Sequence, residues 1–546
     1  MTVLESTLHM GGAEYERNAR AMGESLERLA AVRARQQETE AAYEPRARAK
    51  GKLMPRERLA RLLDRGAPFL ELCALAGYGM FDDKDGATCG GNLIAGIGFV
   101  SGRRALAIAW NSAIKGGTVS SVTVRKMLRL QQIAFDNRLP IVSLSESGGG
   151  DLAGQGGSDP WGAATFLDGG RCYANQARLS AAGIVQIVVA HGNATAGGAY
   201  HVGLADYIIL VRGQSQLFLA GPPLLKAATG ADASVEELGG AEMHATVSGT
   251  GEYLAENDAD GIRLARELMA QLPPVPGAAD PGPVAPPRVD PDQLLGLAPA
   301  DRKTFYDARE IIARLVDGSE WLEFSADIDR GTLCGHARIG GHRCGVLANN
   351  APITPTGAKK AAQFIQLCDQ SLTPLLFLHN TTGFLVGVEA ERTGQVKHGS
   401  KMIQAVANTR SPKIALVVGN SFGAGNYAMA SRALDPHFIF AWPTARSAVM
   451  GGAQAAKVME IVAQGRLERA GVTPDAETRA KIETRSKLIE AGLDHISESM
   501  YCSARLFDDG LIDPRDSRRV LCMVLDTLAE ARRAQIQPNS FGVQRL

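Results

Sequence analysis

Four glycine turns mark the places where this chain can do chemistry. Apolar runs break into glycine at IVSLSESGGG (Ile141 to Gly150) and GIVQIVVAHGNATAGGAY (Gly183 to Tyr200). They do so again at PLLFLHNTTGF (Pro374 to Phe384) and SPKIALVVGNSFGAGNYAMA (Ser411 to Ala430). Each reads as a buried strand, a tight turn and a helix start. A strand that feeds a helix through Gly-Gly leaves N–H groups without intrahelical acceptors, and the helix dipole adds partial positive charge there. Such a turn stabilises an oxyanion as it forms, an effect worth roughly 2.7–4 kcal/mol per donor. Glycine at Gly197 and Gly198 keeps open the space that a thioester would occupy. For one such turn tight strand–helix packing is the better explanation; four in matched order favour chemistry. Two strand–turn–helix sites suit a reaction with two oxyanions.

Side chains offer less. Glu146 precedes a Gly-Gly turn, where a carboxylate is most often a structural hydrogen-bond acceptor. His191 and His379 end strands beside the key turns and are candidates to touch a substrate. Ser147 has no evident His partner, and its context is not a G-x-S-x-G elbow. No G-x-G-x-x-G with a trailing acid sits where a dinucleotide fold needs it, and no P-loop is present. The ten histidines lack HExxH spacing and the eight cysteines lack a CxxC pair, so neither set predicts a metal site. The cysteines read as reduced core residues rather than disulfides. The pattern fits a reaction in which a cofactor carries the chemistry and backbone dipoles assist it.

The turns need elements to hold them. The two pairs lie roughly 230 residues apart, which suggests a duplicated domain of ordinary size. The stretch from Glu14 to Glu44 is rich in Ala, Arg and Glu and should be helical, with Leu26, Leu29 and Val32 forming one stripe. The basic segment ARAKGKLMPRERLARLLD (Ala47 to Asp64) reads in two ways. It is either a solvated helix start with Pro55 in the first turn, or a cradle for the phosphates of a nucleotide tail. Asn92 to Ala109 looks like a hairpin, followed by the Lys115-Gly116-Gly117-Thr118 turn, a helix through Asn137 and a strand from Ile141 to Leu144. Proline blocks helix and ladder alike, so LPPVPGAADPGPVAPPRVDP (Leu272 to Pro291) should be an extended linker of low order.

Beyond it the grammar repeats. A hairpin (LCGHARIGGHRCGVLANN) precedes a helix over Lys359 to Asp369, a strand, the Asn380–Phe384 turn, a long helix, a strand and the Phe422–Asn426 turn. Ala476 to Ala491 reads as an exposed charged helix. Repeated strand–helix units predict α/β architecture in both halves. The expected bounds are a helical segment at 1–45, a first domain at 46–271, a linker at 272–300 and a second domain at 301–546.

Composition excludes other classes. At 546 residues, length alone favours roughly two to four domains. Basic and acidic residues balance at 58 each, so no global field recruits nucleic acid or an anionic membrane. No apolar stretch reaches membrane-spanning length. No basic-then-apolar signal opens the chain, and Glu5, Glu14 and Glu16 argue against a mitochondrial transit peptide. A cytoplasmic location is expected.

At these residues the chain resembles the carboxyltransferase (β) subunits of biotin-dependent acyl-CoA carboxylases, and among them the methylcrotonoyl-CoA and geranyl-CoA carboxylase branch. The motifs that carry the resemblance are GKLMPRERLARLLD, KGGT, ESGG, TAGGAY, FLAGPPLLKAATG (Phe218 to Gly230) and EELGGAEMHATVSG. They continue with HNTTGF, VKHGSKMIQAVA, SFGAGNY and WPTARSAVMGG (Trp442 to Gly452). The resemblance covers nearly everything from Arg46 onward.

It implies two tandem crotonase-like (ClpP/crotonase) domains from an internal duplication. It also implies carboxyl transfer from carboxybiotin to the γ-carbon of an α,β-unsaturated acyl-CoA. In that family N-domain amides hold the acyl thioester oxygen, and the matching positions are Ala196, Gly197 and Gly198, supported by Ser147, Gly148 and Gly149. C-domain amides hold the ureido oxygen of biotin, matched by Gly423, Ala424 and Gly425. Lys115, Gly116, Gly117, Thr382, Gly383, Phe384 and Tyr427 are carried over with their motifs as substrate-binding positions. Carboxybiotin would release carbon dioxide and its ring nitrogen would take the substrate proton, which accounts for the missing acid–base pair.

The family's assembly is implied too: a hexamer within a hetero-dodecamer, with active sites between the N-domain of one copy and the C-domain of another. Lys126-Met127 and Lys401-Met402 are each preceded by the wrong residue for a biotinyl-lysine, and no ATP-binding module is found. Biotin is therefore expected on a separate biotin carboxylase/biotin carboxyl carrier partner, and coenzyme A only as part of the substrate.

The chain also departs from the family. Where a proline–arginine–aspartate-rich loop usually lines the acyl pocket, it carries GDLAGQGGSDPWGAATFLDGGRCYA between Gly149 and Asn175. Smaller side chains there would admit a longer or bulkier acyl group. Tyr427 stands where α-carboxylating relatives tend to have Asp, which favours the γ-carboxylating branch. Two alternatives share the scaffold: a biotin-dependent acyl-CoA decarboxylase subunit, and a non-catalytic assembly paralogue.

Overall fold

The Ala-, Arg- and Glu-rich stretch near the front forms one helix, Ala13–Arg48. Its buried stripe includes Met22, Leu29 and Val32. In the computed structural model the described residues are 1–81, 83–151, 162–276, 282–300 and 306–544. The chain divides into two compact units. The first comprises Ala30–Ala279 and Thr527–Leu546, the second Met1–Leu29 and Asp280–Asp526.

Each unit is built on a sheet. In chain order the strands begin with β1 (Thr2–Val3), β2 (Leu70–Glu71), β3 (Leu93–Val100), β4 (Arg103–Trp110), β5 (Ile141–Ser147) and β6 (Gln186–Thr195). They continue with β7 (Tyr207–Val211), β8 (Gln216–Phe218), β9 (Tyr253–Ala255), β10 (Glu320–Glu323) and β11 (Thr332–Ile339). The last are β12 (His342–Asn349), β13 (Leu375–Thr381), β14 (Lys413–Phe422), β15 (Phe438–Ala441) and β16 (Arg446–Ala448). The first unit orders them β2-β3-β4-β5-β6-β7-β9, with β8 also on β6. The second orders them β1-β10-β11-β12-β13-β14-β15, with β16 also on β14. The paths β2 to β7 and β10 to β15 match strand for strand, down to the short extra strand. The α/β duplication expected from the glycine turns is therefore present in the topology.

Local sequence explains the matching parts. The β3–β4 hairpin closes on Ser101 and Gly102 (φ 53° and 76°), and the β11–β12 hairpin on Gly340 and Gly341 (φ 56° and 80°). Two left-handed turn residues give the backbone twist that a two-residue hairpin requires. The crossover helices Ser121–Asp136 and Pro355–Ser371 start at Ser120 and Thr354, whose side chains accept from the Thr123 and Gly357 amides. Crossover strands covered on both faces read as continuous apolar runs, and all of β5 is buried. Val142, Leu144, Ile187, Val189 and Ile209 form the first core with Ile262 and Met269 of helix Asp258–Gln271. Leu347, Phe364, Phe377, Met402 and Met429 lie in the second. Each such side chain contributes about 1.5–3 kcal/mol on burial.

The units do not follow the expected bounds. Residues 277–281 of the proline-rich stretch and 301–305 lie outside the described residues. The segment after the stretch is not an extended linker: Pro291–Gly296 forms a 3₁₀ turn capped by Asp290, with Leu294 and Gly296 buried. A Cβ on Gly296 would overlap the Tyr15 ring, and Asn18 bonds both the Gly296 carbonyl (3.1 Å) and the Ala300 amide (2.8 Å). The N-terminal end of the first helix thus packs on this segment. Residues 527–546 belong with the first unit, where Glu530 pairs with Arg104 and the Asn539 amide bonds the Ala181 carbonyl. These attachments are made between residues far apart in sequence, and local composition does not signal them.

Candidate functional site

In the first unit three short motifs converge at the ends of β5 and β6. The pairing of the two strands shifts register between Ser145 and Ser147, a bulge that re-aims the end of β5. Lys115, Gly116 and Gly117 all take positive φ (47°, 64° and 73°). A Cβ on Gly117 would overlap the Glu146 carbonyl, and one on Gly148 would stand 3.2 Å from the Gly116 carbonyl. A Cβ on Gly198 would stand 3.1 Å from Ser147 Cβ. Lys115–Gly117, Ser147–Gly149 and Ala196–Gly198 are therefore neighbours. Ala196 is left-handed (φ 52°, ψ −117°), and its N–H donates to the Phe218 carbonyl at 3.0 Å. Of the three amides named from the resemblance, those of Gly197 and Gly198 begin helix Gly197–Gly203 and have no intrahelical acceptor.

A cavity of ≈ 730 Å³ opens in front of these amides. Trp110, Val124, Met127, Cys172, Tyr173 and Tyr200 are among its walls, and no Asp, Glu, Lys or Arg lines it among the described residues. Residues 152–161, in the glycine- and alanine-rich loop, lie outside the described residues. Sequence reasoning missed Tyr173 and His201. A Cβ on Gly197 would overlap the Tyr173 hydroxyl, so this phenol sits over the turn. His201 also lines the cavity, within 3.2 Å of Ser143 Oγ and Gln176 Oε1, and burial pushes its pKa down to about 4. Tyr173 comes from a helix with no local signal of function, whereas His201 directly follows the Gly197–Tyr200 motif.

Glu146 turns away from this chemistry. It accepts from Lys52 Nζ (2.6 Å), Arg58 Nη1 (3.0 Å) and Ser112 Oγ (3.3 Å). Arg58 also donates to Asp258 through Nε (3.1 Å) and Nη2 (3.0 Å), and Asp258 holds His191 Nδ1 at 2.7 Å. Burial alone would raise both carboxyls, but Arg58 and Lys52 hold Glu146 below its ordinary value, and His191 and Arg58 do the same for Asp258. Burial and the nearby Arg58 push His191 down, so its neutral ring donates Nδ1–H. Lys52 and Arg58 are thus neither solvated nor a phosphate cradle. They anchor the helix Pro55–Leu62 to the end of β5.

The second unit repeats the close approach. A Cβ on Gly425 would stand 2.8 Å from Gly383 Cα, as Gly198 meets Ser147 in the first unit. Gly423 takes φ 57° where Ala196 takes 52°. Tyr427 and Tyr200 hold equivalent, half-exposed places. A cavity of ≈ 470 Å³ is lined by Gly423, Ala424, Tyr427, Ser431 and Asp508. Thr382 instead lines a separate cavity with Asn380 and Arg446, and Phe384 packs against Gly399. Asp508 was missed: burial raises its carboxyl to about 7, and it accepts from Ser503 Oγ at 2.8 Å.

His379, a candidate for substrate contact, is wholly buried and bonded through Nδ1 to Ser421 Oγ (2.8 Å). Burial pushes its pKa down to about 4. His201 and His379 are lowered in the folded state, so the unfolded chain binds more protons. The stability they contribute is complete above pH 6.5 and is lost as pH falls toward about 4. Urea midpoints measured across that window should fall with pH, and less so for His379→Asn.

Among the described residues no helix is long and apolar enough to cross a membrane. The carboxyl transferase domain model matches residues 46–543. The chain is 44% identical to a probable biotin-dependent acyl-coenzyme A carboxylase beta2 subunit of Mycobacterium tuberculosis, over 100% of both chains. It is 42% identical to the biotin-dependent 3-methylcrotonyl-coenzyme A carboxylase beta1 subunit of the same organism, over 91% of this chain and 92% of that one. The crystal structure of the P. aeruginosa geranyl-CoA carboxylase beta subunit matches it with a TM-score of 0.91 and 53% identity, over 100% of each chain. Two matched sheets, two glycine-turn sites and relatives over the full length agree: the chain belongs to the carboxyl transferase family, as a carboxyltransferase (β) subunit of the biotin-dependent acyl-CoA carboxylase kind.

Proposed function

We propose that this subunit moves a carboxyl group from carboxybiotin on a partner subunit to the γ-carbon of a 3-methylcrotonoyl-like or longer branched enoyl-CoA. The carrying observation is the ≈ 730 Å³ cavity at Gly197 and Gly198, apolar and without charged walls among the described residues. Those two amides would hold the thioester oxygen, with Ser147–Gly149 and Lys115–Gly117 as supports. Cβ atoms built on Gly169 and Gly170 meet nothing within 4 Å, so the acyl wall is open where a larger side chain would close it.

The second unit fits biotin. Its cavity joins apolar walls to the Gly423–Ala424 turn, and Ser431 Oγ is buried there without a partner among the described residues. Gly423, Ala424 and Gly425 would hold the ureido oxygen, Tyr427 would flank the ring, and Thr382, Gly383 and Phe384 would shape the turn from behind. Carboxybiotin, when bound, supplies the carbon dioxide and a ring nitrogen that takes the γ-proton. The apolar lining of the first cavity would keep water from the acyl group. The working assembly is a hexamer within a hetero-dodecamer, in the cytoplasm, with a biotin carboxylase/biotin carboxyl carrier partner.

Pull-down of the tagged chain from native extract with a streptavidin blot, followed by an acyl-CoA panel on the complex, tests this reading. A biotinylated band is expected. The kcat/KM should rise with acyl length by roughly tenfold or more between five-carbon and longer branched enoyl-CoAs, since each buried methylene contributes about 1–3 kcal/mol. An intact complex with no biotinylated band overturns the transfer. Preference for acetyl- or propionyl-CoA overturns the substrate class.

A further inference from the structure

A second cavity of the first unit lies at the opposite edge of its sheet. It measures ≈ 400 Å³ and is lined by Ser101 and Gly102 of the β3–β4 turn, Pro140 before β5, and Gly183 to Val185 before β6. The strands run from this edge toward Ser147 and Thr195. At about 3.3 Å per residue they keep it roughly 20–30 Å from the glycine turns.

Its lining is basic. Arg103, Arg104, Arg138 and Arg533 face it with one carboxylate, Glu530. Glu530 is already matched, accepting from Arg104 Nε and Nη2 at 2.9 Å each. Arg103 and Arg138 each place Nη1 on a backbone carbonyl, of Pro273 and of Ala534 (2.9 Å). A carbonyl orients a guanidinium but does not neutralise it. Arg533 Nε is buried with no partner among the described residues. Asp64, which accepts from the Ser101 and Gly102 amides at the rim, is matched by Arg266. Burial pulls the Arg103 guanidinium down, and no acid among the described residues offsets it. Three cationic side chains thus share one cavity with no carboxylate paired to any of them among the described residues. Like charges held together in a partly dry space repel, and a bound anion would relieve that cost.

We propose that this cavity is an anion site for a phosphate-type group, either the free ion or the phosphate end of a small metabolite. Guanidinium forks match phosphate oxygens in bidentate geometry, and the volume lies in the range of small-molecule sites. The inference is independent of the carboxyl-transfer reading.

Calorimetric titration of the full chain with inorganic phosphate, pyrophosphate and adenosine 5′-monophosphate tests it. One saturable site is expected. Arg103→Gln or Arg533→Gln should weaken binding about tenfold, ~1.4 kcal/mol each, while carboxyl transfer without added phosphate is unchanged. Arg138→Gln, at an exposed position, reads the same loss if either of the other changes prevents folding. Equal affinity for phosphate and the nucleotide assigns the free ion; a tighter nucleotide assigns a metabolite. Absence of saturable binding, undiminished binding in all three variants, or binding of citrate but not phosphate overturns the proposal.

Discussion

Valine in place of Gly198 is expected to stop carboxyl transfer while the chain still folds. A Cβ there stands 3.1 Å from Ser147 Cβ and 3.2 Å from its Oγ, contacts that a side chain can relieve by small shifts. The valine methyls must then be accommodated at the turn whose amides line the cavity. Losing one oxyanion donor typically lowers kcat about 100- to 1000-fold, roughly 2.7–4 kcal/mol, and displacing the thioester adds to that. Gly425→Val should be equally inactive but also less stable, since its Cβ stands 2.8 Å from Gly383 Cα and backbone must move. Turnover assays paired with thermal melts separate the two. Wild-type turnover from folded Gly198→Val sinks the oxyanion assignment.

The largest stability loss is expected at Arg58. Removing its guanidinium leaves Glu146 buried with one donor fewer and Asp258 with two fewer, and breaking a buried pair from one side costs about 3–5 kcal/mol. Urea unfolding of Arg58→Ala should read that loss, and a change below about 1 kcal/mol, the scale of an exposed pair, would show the network to be incidental. Glu146→Gln keeps acceptor geometry toward Lys52 and should retain most turnover; its complete loss would move that carboxylate into the chemistry. The acid dependence has a definite sign. Both carboxyls are depressed in the folded state, so their contribution is present above the ordinary carboxylate range, near pH 4. It is lost as pH falls through the folded values. The stability gap between Arg58→Ala and the parent should therefore narrow as pH falls through that range.

The duplication was legible because glycine turns are restrictive. Where φ is positive or a neighbouring backbone passes within contact, as at Gly117 and Gly425, few residues fit and the sequence records the fact. Hairpins and capped crossover helices were legible for the same local reason. Burial is not local. Lys52 and Arg58 carry the same charges whether solvated or buried, and only the approach of Glu146 and Asp258, 88 to 200 residues on, decides which. Tyr173 and Asp508 stand in an ordinary helix and loop and gain their places only when the strand ends converge, while His201 sits one residue past the Gly197–Tyr200 motif. In Asp508–Asp509 a hint did exist, since two adjacent acids need different partners, and Arg432 takes only the second.

The backbone at Ala196 has a further consequence. A left-handed alanine is held in place by its surroundings rather than by its own preference, at a cost of order 1–3 kcal/mol. Its amide is tied to Phe218, and its carbonyl accepts from the Ala199 amide. The Gly197 and Gly198 amides are thus aimed during folding, and on the proposed reading little reorganisation energy would remain to be supplied when negative charge develops in front of them. At Gly423 the same turn carries no such strain. On the proposed reading the acyl side is stiff by construction, while the biotin side carries a glycine that holds its turn without strain.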